Sequence, residues 1–144
     1  MNTHLSFLAT LFVVAIVIAG CSKEEPKMSS GNTSSYQQIA LEFTKSLAAR
    51  EYQKAYAMTS QEYRKRTTAE QLRTAFENIV PTDWGQIGPI DVGQTMSSWP
   101  GKRPDDVGWA YVSIGGDVYS EAITVVVASE GGESKIGEVE FGRP

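Results

Sequence analysis

The chain has 144 residues and carries 13 Lys and Arg against 17 Asp and Glu, which gives a formal net charge of −4. This acidic balance, without a basic stripe, argues against nucleic-acid binding. No glycine-rich loop leads from an apolar strand pattern into a helix, so a nucleotide-binding site has no support either.

The N-terminal part of the chain contains a long apolar segment, LSFLATLFVVAIVIAG, at residues 5–20. A membrane-spanning helix needs about 20 apolar residues, so this segment is marginal as a permanent span. It suits the hydrophobic region of a signal peptide, although the preceding MNTH has no Lys or Arg. The alternative is an uncleaved membrane helix that ends at a lone cysteine.

The end of this segment, Ile18-Ala19-Gly20-Cys21, resembles the lipobox of bacterial lipoproteins. The resemblance implies cleavage between Gly20 and Cys21, a diacylglycerol thioether on Cys21 and an acyl chain such as palmitate on the new amine. Such a protein is held on a membrane of the cell envelope. Ser22 after the cysteine favours, by the same resemblance, the outer membrane and its periplasmic face.

Cleavage would leave the mature chain without histidine or a free thiol, because His4 and Cys21 are the only His and Cys present. A Ser-His-Asp triad or a Cys-His pair needs an imidazole base. Zinc sites rely on the same two residue types. The sequence therefore predicts neither a metal nor another cofactor.

Residues 21–35 form the lipidated cysteine and a predicted flexible tether, since SKEEPKMSSGNTSS offers only Met28 as a bulky apolar group. Residues 36–144 have the usual size of one domain. We therefore expect three parts: a signal peptide at 1–20, the tether, and one folded domain.

The first half of this domain has the apolar period of helices. The first helix carries one apolar stripe, made of Tyr36, Ile39, Ala40, Phe43 and Leu47. A second helix is predicted over residues 51–66, with a break near Thr59 and Ser60. A third follows Thr68, whose side chain and that of Gln71 fit a capping box, and it ends before Pro81.

The second half alternates polar and apolar residues, which predicts strands at 85–95, 108–115, 118–130 and 134–141. Gly115-Gly116-Asp117 and Gly131-Gly132 are expected to supply the positive φ angles of tight hairpins. The predicted fold is α+β, with three N-terminal helices packed on one face of a four-stranded antiparallel sheet.

The helical stretch LEFTKSLAAREYQKAYAMTSQEYRKRTTAEQLRTAF, residues 41–76, resembles the opening of small NTF2-like domains. The resemblance implies a cone in which a curved sheet and helices enclose a cavity. Some members of that family are isomerases or dehydratases with an Asp or His in the cavity, and many others are not catalytic. With no histidine left, Asp91, between Ile90 and Val92, is the candidate base.

Large amphipathic side chains in the strand half suggest binding instead of catalysis. The candidate ligand-binding residues are Trp84, Trp109, Tyr111 and Glu121. Strand alternation places Trp109 and Tyr111 on one face of their strand and the smaller apolar residues on the other. If the aromatic face packs on the helices, it fills the core or lines a pocket.

Three hypotheses about function follow. The leading one is a non-catalytic lipoprotein whose NTF2-like domain binds an envelope protein or a small apolar ligand. The second is a cavity enzyme with Asp91 as carboxylate base. The third is an immunity-type protein that blocks a toxin.

Overall fold

The computed structural model describes residues 35–143, so the predicted signal peptide and lipobox and nearly all of the predicted tether lie outside the described residues. The fold is α+β, as predicted. Its helices are α1 (Ser35–Ala48), α2 (Tyr52–Ala57), α3 (Gln61–Arg66) and α4 (Ala69–Ile79). Its strands are β1 (Ile87–Met96), β2 (Asp106–Gly116), β3 (Ser120–Glu130) and β4 (Glu133–Phe141). Within this range no helix combines the length and apolarity needed to cross a membrane.

The helical half has four helices instead of three, because the predicted break at Thr59 and Ser60 separates α2 from α3. The Ser60 side chain accepts a hydrogen bond from Tyr63 N at 3.1 Å and so caps α3. The backbone at the break pairs with Ile136 in β4, through Ser60 N to Ile136 O at 2.8 Å and Ile136 N to Met58 O at 2.9 Å. The break thereby covers part of the outer edge of β4, which would otherwise expose unpaired backbone groups.

The N-terminus of α4 confirms the predicted capping box. Gln71 N donates to Thr68 Oγ1 at 3.2 Å, and Thr68 N donates to Gln71 Oε1 at 2.8 Å. These two bonds satisfy backbone donors that have no partner within the helix.

The four strands form one antiparallel sheet in the order β1-β2-β3-β4, which confirms the predicted four-stranded antiparallel sheet. The β3–β4 turn has φ of 61° at Gly131 and 83° at Gly132, as expected. The expectation for Gly115 and Gly116 was wrong, because both lie within β2 without positive φ. Gly116 is instead a point of close approach, since a Cβ there would overlap the Tyr119 ring.

The core lies between the helices and one face of the sheet. Its fully buried side chains include Phe43, Leu47, Leu72, Phe76, Val80, Ala110, Val112, Ile114, Ile123, Val125, Val127 and Ile136. Ala110, Val112 and Ile114 of β2 face the side chains of the helices, and the Tyr36 ring lies over Gly108. This arrangement decides which face of β2 is buried.

Candidate functional site

The aromatic side chains of β2 lie on the sheet face that is turned away from the helices. Ala110, Val112 and Ile114 belong to the core, and all four helices contribute residues to the same core. Trp109 and Tyr111 alternate with them and therefore point outward, where both are half-buried. The possibility that the aromatic face packs on the helices is thus excluded.

The outer sheet face has an apolar centre. Trp109 lies opposite Val126 and Met96, and Tyr111 lies opposite Thr124. Side chains directly opposite each other in an antiparallel pair share one face and contact each other. Val126 is only 8% exposed and Thr124 9%, so the larger neighbours shield them from water. We call this surface, Met96, Trp109, Tyr111, Thr124 and Val126, the aromatic sheet face.

Acidic side chains border the aromatic sheet face. Glu138 lies opposite Val126 and Glu140 lies opposite Thr124 on β4, and both are exposed. The same alternation leaves Val139 and Phe141 of β4 packed against the core. An apolar centre with a polar border is the usual anatomy of a protein interface.

Asp91, the candidate base, is exposed and lies on the outer face of the sheet. Its register partner is Ser113, and Ser113 Oγ donates to the Asp91 carbonyl at 3.1 Å. A general base in a cavity lies in an enclosed pocket. Asp91 is exposed instead.

Trp84 and Glu121 lie apart from the aromatic sheet face. Trp84 is 40% exposed and its ring centre is 5.3 Å from that of Tyr119. Glu121 is the register partner of Ile114 and therefore lies on the core face, at the end of the sheet near Tyr119. The Glu121 side chain is half-buried. The four predicted binding residues therefore do not surround a common pocket.

We call the end of the sheet that carries Trp84, Val118 and Tyr119 the Trp84 end. The sequence did not mark Val118 or Tyr119 as functional. Val118 is 79% exposed, and the Tyr119 hydroxyl is buried without a hydrogen-bond partner. Burial raises the pKa of Tyr119; the nearby Arg50 guanidinium lowers that pKa and the Asp117 carboxylate raises it. The contact between the Trp84 and Tyr119 rings could not be predicted from the sequence, because the two residues are far apart along the chain.

The opposite end of the sheet carries the loop between β1 and β2, residues 97–105, which we call the Trp99 loop. Lys102 N donates to Trp99 O at 3.2 Å, and Gly101 has φ of 84°. Pro100 and Gly101 at the two central positions are typical of a type II turn. Lys102 Nζ lies 5.5 Å from the centre of the Trp99 ring and donates to Ser97 O at 2.6 Å.

An ion pair fixes the second half of the Trp99 loop. Arg103 Nη2 lies 3.0 Å from Asp106 Oδ1, and the Asp106 side chain is only 3% exposed. Glu138 lies 3.7 Å from the same nitrogen. The hydrogen bonds that the Arg103 guanidinium donates to the Asp106 carboxylate raise the pKa of Arg103, and partial burial opposes this effect. A cavity of about 260 Å³ lies beside the pair, bordered by Glu62, Asp105 and Glu130.

Among residues 35–143, no three or more His, Cys, Asp or Glu side chains are grouped so that they could hold a metal ion. No protein-family model matches the chain, and neither a curated protein nor a solved structure matches it.

Proposed function

We propose that this protein is a lipid-anchored lipoprotein of the bacterial cell envelope whose NTF2-like domain binds another protein without catalysis. The anchor is the lipid on Cys21, and the outer membrane facing the periplasm is its proposed location. The partner is an envelope protein that docks on the aromatic sheet face.

The observation that supports binding is the position of Trp109 and Tyr111 on the face opposite the core. The core is filled without them, by residues such as Phe43 and Phe76. Trp and Tyr are the residues that most often contribute the largest share of binding energy at protein interfaces. A sheet surface with an apolar centre and an acidic border suits a protein partner, because protein interfaces have this anatomy, whereas small ligands bind in concave sites.

The other hypotheses have weaker support. The fully buried side chains that pack between helices and sheet, such as Phe43 and Phe76, disfavour a small apolar ligand at that position. The exposed Asp91 disfavours a carboxylate base. An immunity-type protein would also act by binding a protein, so that hypothesis concerns the identity of the partner. The NTF2-like assignment is supported by the succession of short helices followed by one antiparallel sheet.

Photo-crosslinking in intact cells tests the proposed docking surface. A photoreactive phenylalanine derivative replaces Tyr111 in the full chain, and a matched control carries it at Gln53, an exposed residue of α2. We expect one adduct of reproducible mass from position 111 and none from position 53. Adding Trp109→Ser to the first variant should reduce the adduct about 30-fold, which corresponds to a loss of about 2 kcal/mol of binding energy.

Equal adducts from both positions, or an adduct that is insensitive to Trp109→Ser, would contradict docking on the aromatic sheet face. We expect the variants to keep the sheet, because the core lies on its other face, and far-ultraviolet circular dichroism of the purified variants checks this.

A further inference from the structure

The folded domain begins next to both stems of the Trp99 loop. Gln37 Nε2 at the start of α1 donates to Thr95 Oγ1 at 2.9 Å, two residues before the loop. The neighbouring Tyr36 ring lies over Gly108, shortly after the loop. Whatever precedes Ser35 in the chain is therefore joined to the domain at the end that carries Trp99 and Lys102.

The Trp84 end lies at the other end of the domain. Arg50 fixes the α1–α2 turn at this end, because its Nη2 donates a hydrogen bond to Val80 O at 3.0 Å. Burial raises the pKa of the nearby Tyr119 hydroxyl, and the Arg50 charge opposes this effect. Since α1 has 14 residues and a helix rises 1.5 Å per residue, the two ends are separated by about 20 Å along the helix axis.

The Trp99 loop combines an aromatic ring with a cation in a fixed arrangement. Its turn holds Lys102 Nζ at 5.5 Å from the Trp99 ring centre, and the Arg103 pair with Asp106 fixes the stem. Trp is enriched where membranes meet water, because its ring is amphipathic and settles at the level of the head groups. A neighbouring lysine reaches lipid phosphates from the same position.

We propose that the Trp99 loop contacts the surface of the bilayer that holds the lipid on Cys21, with the Trp99 ring at the head-group level. This inference rests on the proposed lipid anchor. The 13 residues at positions 22–34 separate the anchor from α1, and a tether of that length with the flexibility predicted from its composition would have a mean reach of about 20 Å. Tethering makes a weak surface contact effectively intramolecular, so modest affinity suffices.

Charge at this end does not drive the contact, because acidic residues lie close to the loop. Asp105 is exposed, and Glu130, which borders the same cavity as Arg103 and Asp105, accepts a hydrogen bond from Gln61 N at 2.8 Å. The proposed contact therefore depends on the Trp99 ring, with Lys102 as the phosphate partner. It leaves the aromatic sheet face open at the side of the domain and directs the Trp84 end away from the membrane.

Fluorescence quenching by brominated lipids tests this orientation. The full lipidated chain is reconstituted in phosphatidylcholine vesicles that contain lipid brominated near the top of the acyl chains. One variant, Trp84→Phe with Trp109→Phe, retains Trp99 alone. The matched control, Trp99→Phe with Trp109→Phe, retains Trp84 alone. We expect Trp99 to lose about half of its emission, as a ring at the interface should, and Trp84 to lose none.

A Trp99 signal that is not quenched while the protein stays with the vesicles would overturn the inference and leave the lipid anchor intact. Quenching of Trp84 in place of Trp99 would also overturn it, since the domain would then face the membrane with its other end. A protein that does not remain with the vesicles would overturn both the anchor and the contact that depends on it.

Discussion

Replacing Cys21 by Ser is expected to abolish incorporation of labelled palmitate and to leave the chain with residues 1–20 still attached. The physical reason is that a serine hydroxyl does not form the thioether on which lipidation and subsequent cleavage depend. Each methylene of an acyl chain contributes about 0.8 kcal/mol to membrane binding, so two or three chains give a nearly permanent anchor. Labelling of whole cells followed by gel electrophoresis of the purified chain measures both effects.

The matched control for this experiment is Ser29→Ala, a change of similar size in the predicted tether. The Ser29→Ala variant should keep the palmitate label and should still lose residues 1–20. Retention of the label in Cys21→Ser, or cleavage of that variant at the same bond, would contradict the lipoprotein assignment. The residue that follows the cysteine, Ser22, is left unchanged in both variants.

Replacing Phe43 by Ala is expected to lower the free energy of unfolding by about 3–5 kcal/mol, because a fully buried ring is lost and a cavity remains. A change of this size is a large fraction of the total stability of a domain, which is about 5–15 kcal/mol. Urea denaturation followed by circular dichroism measures the shift in midpoint. Phe43→Leu provides a milder variant if Phe43→Ala does not fold.

Lys45→Ala on the same helix is the control, since Lys45 is exposed and its loss should change stability by less than about 0.5 kcal/mol. Similar midpoints for Phe43→Ala, Phe43→Leu and Lys45→Ala would mean that α1 does not pack on the sheet as described. The aromatic sheet face would then lose its rigid support.

Local patterns predicted most of the secondary structure. The apolar stripe of α1 and the capping box of α4 depend on neighbours three or four residues apart, which the sequence shows directly. The break between α2 and α3 was also visible, because Ser and Thr compete with the helix for backbone hydrogen bonds. What the sequence did not show is that this break pairs with β4, a contact between distant segments.

The buried face of β2 was not decided by the sequence, because both of its faces are largely apolar. Alternation places Trp109 and Tyr111 on one face and Ala110 and Val112 on the other, but it does not show which face is buried. The structure resolves this through volume: large side chains of the helices, such as Phe43 and Phe76, already fill the space above the sheet. Ala110, Val112 and Ile114 of β2, which are smaller than Trp109 and Tyr111, fit beneath them, and the aromatic rings remain outside.

The candidate site was only partly predictable for the same reason. Trp109 and Tyr111 were singled out, but Met96 and Val126 join them only through strand register. The sequence predicts a turn at Gly116 because glycine often adopts positive φ, whereas in the structure Gly116 leaves room for Tyr119. Asp91 lies between two apolar residues along the chain and is nevertheless exposed, since alternation turns it outward.

Mass spectrometry of the N-terminal peptide of the protein isolated from whole cells tests the central claim most directly. The account predicts a peptide that begins at Cys21 and carries a diacylglyceryl group and an acyl chain. A peptide that begins at Met1, with an unmodified thiol at Cys21, would contradict it.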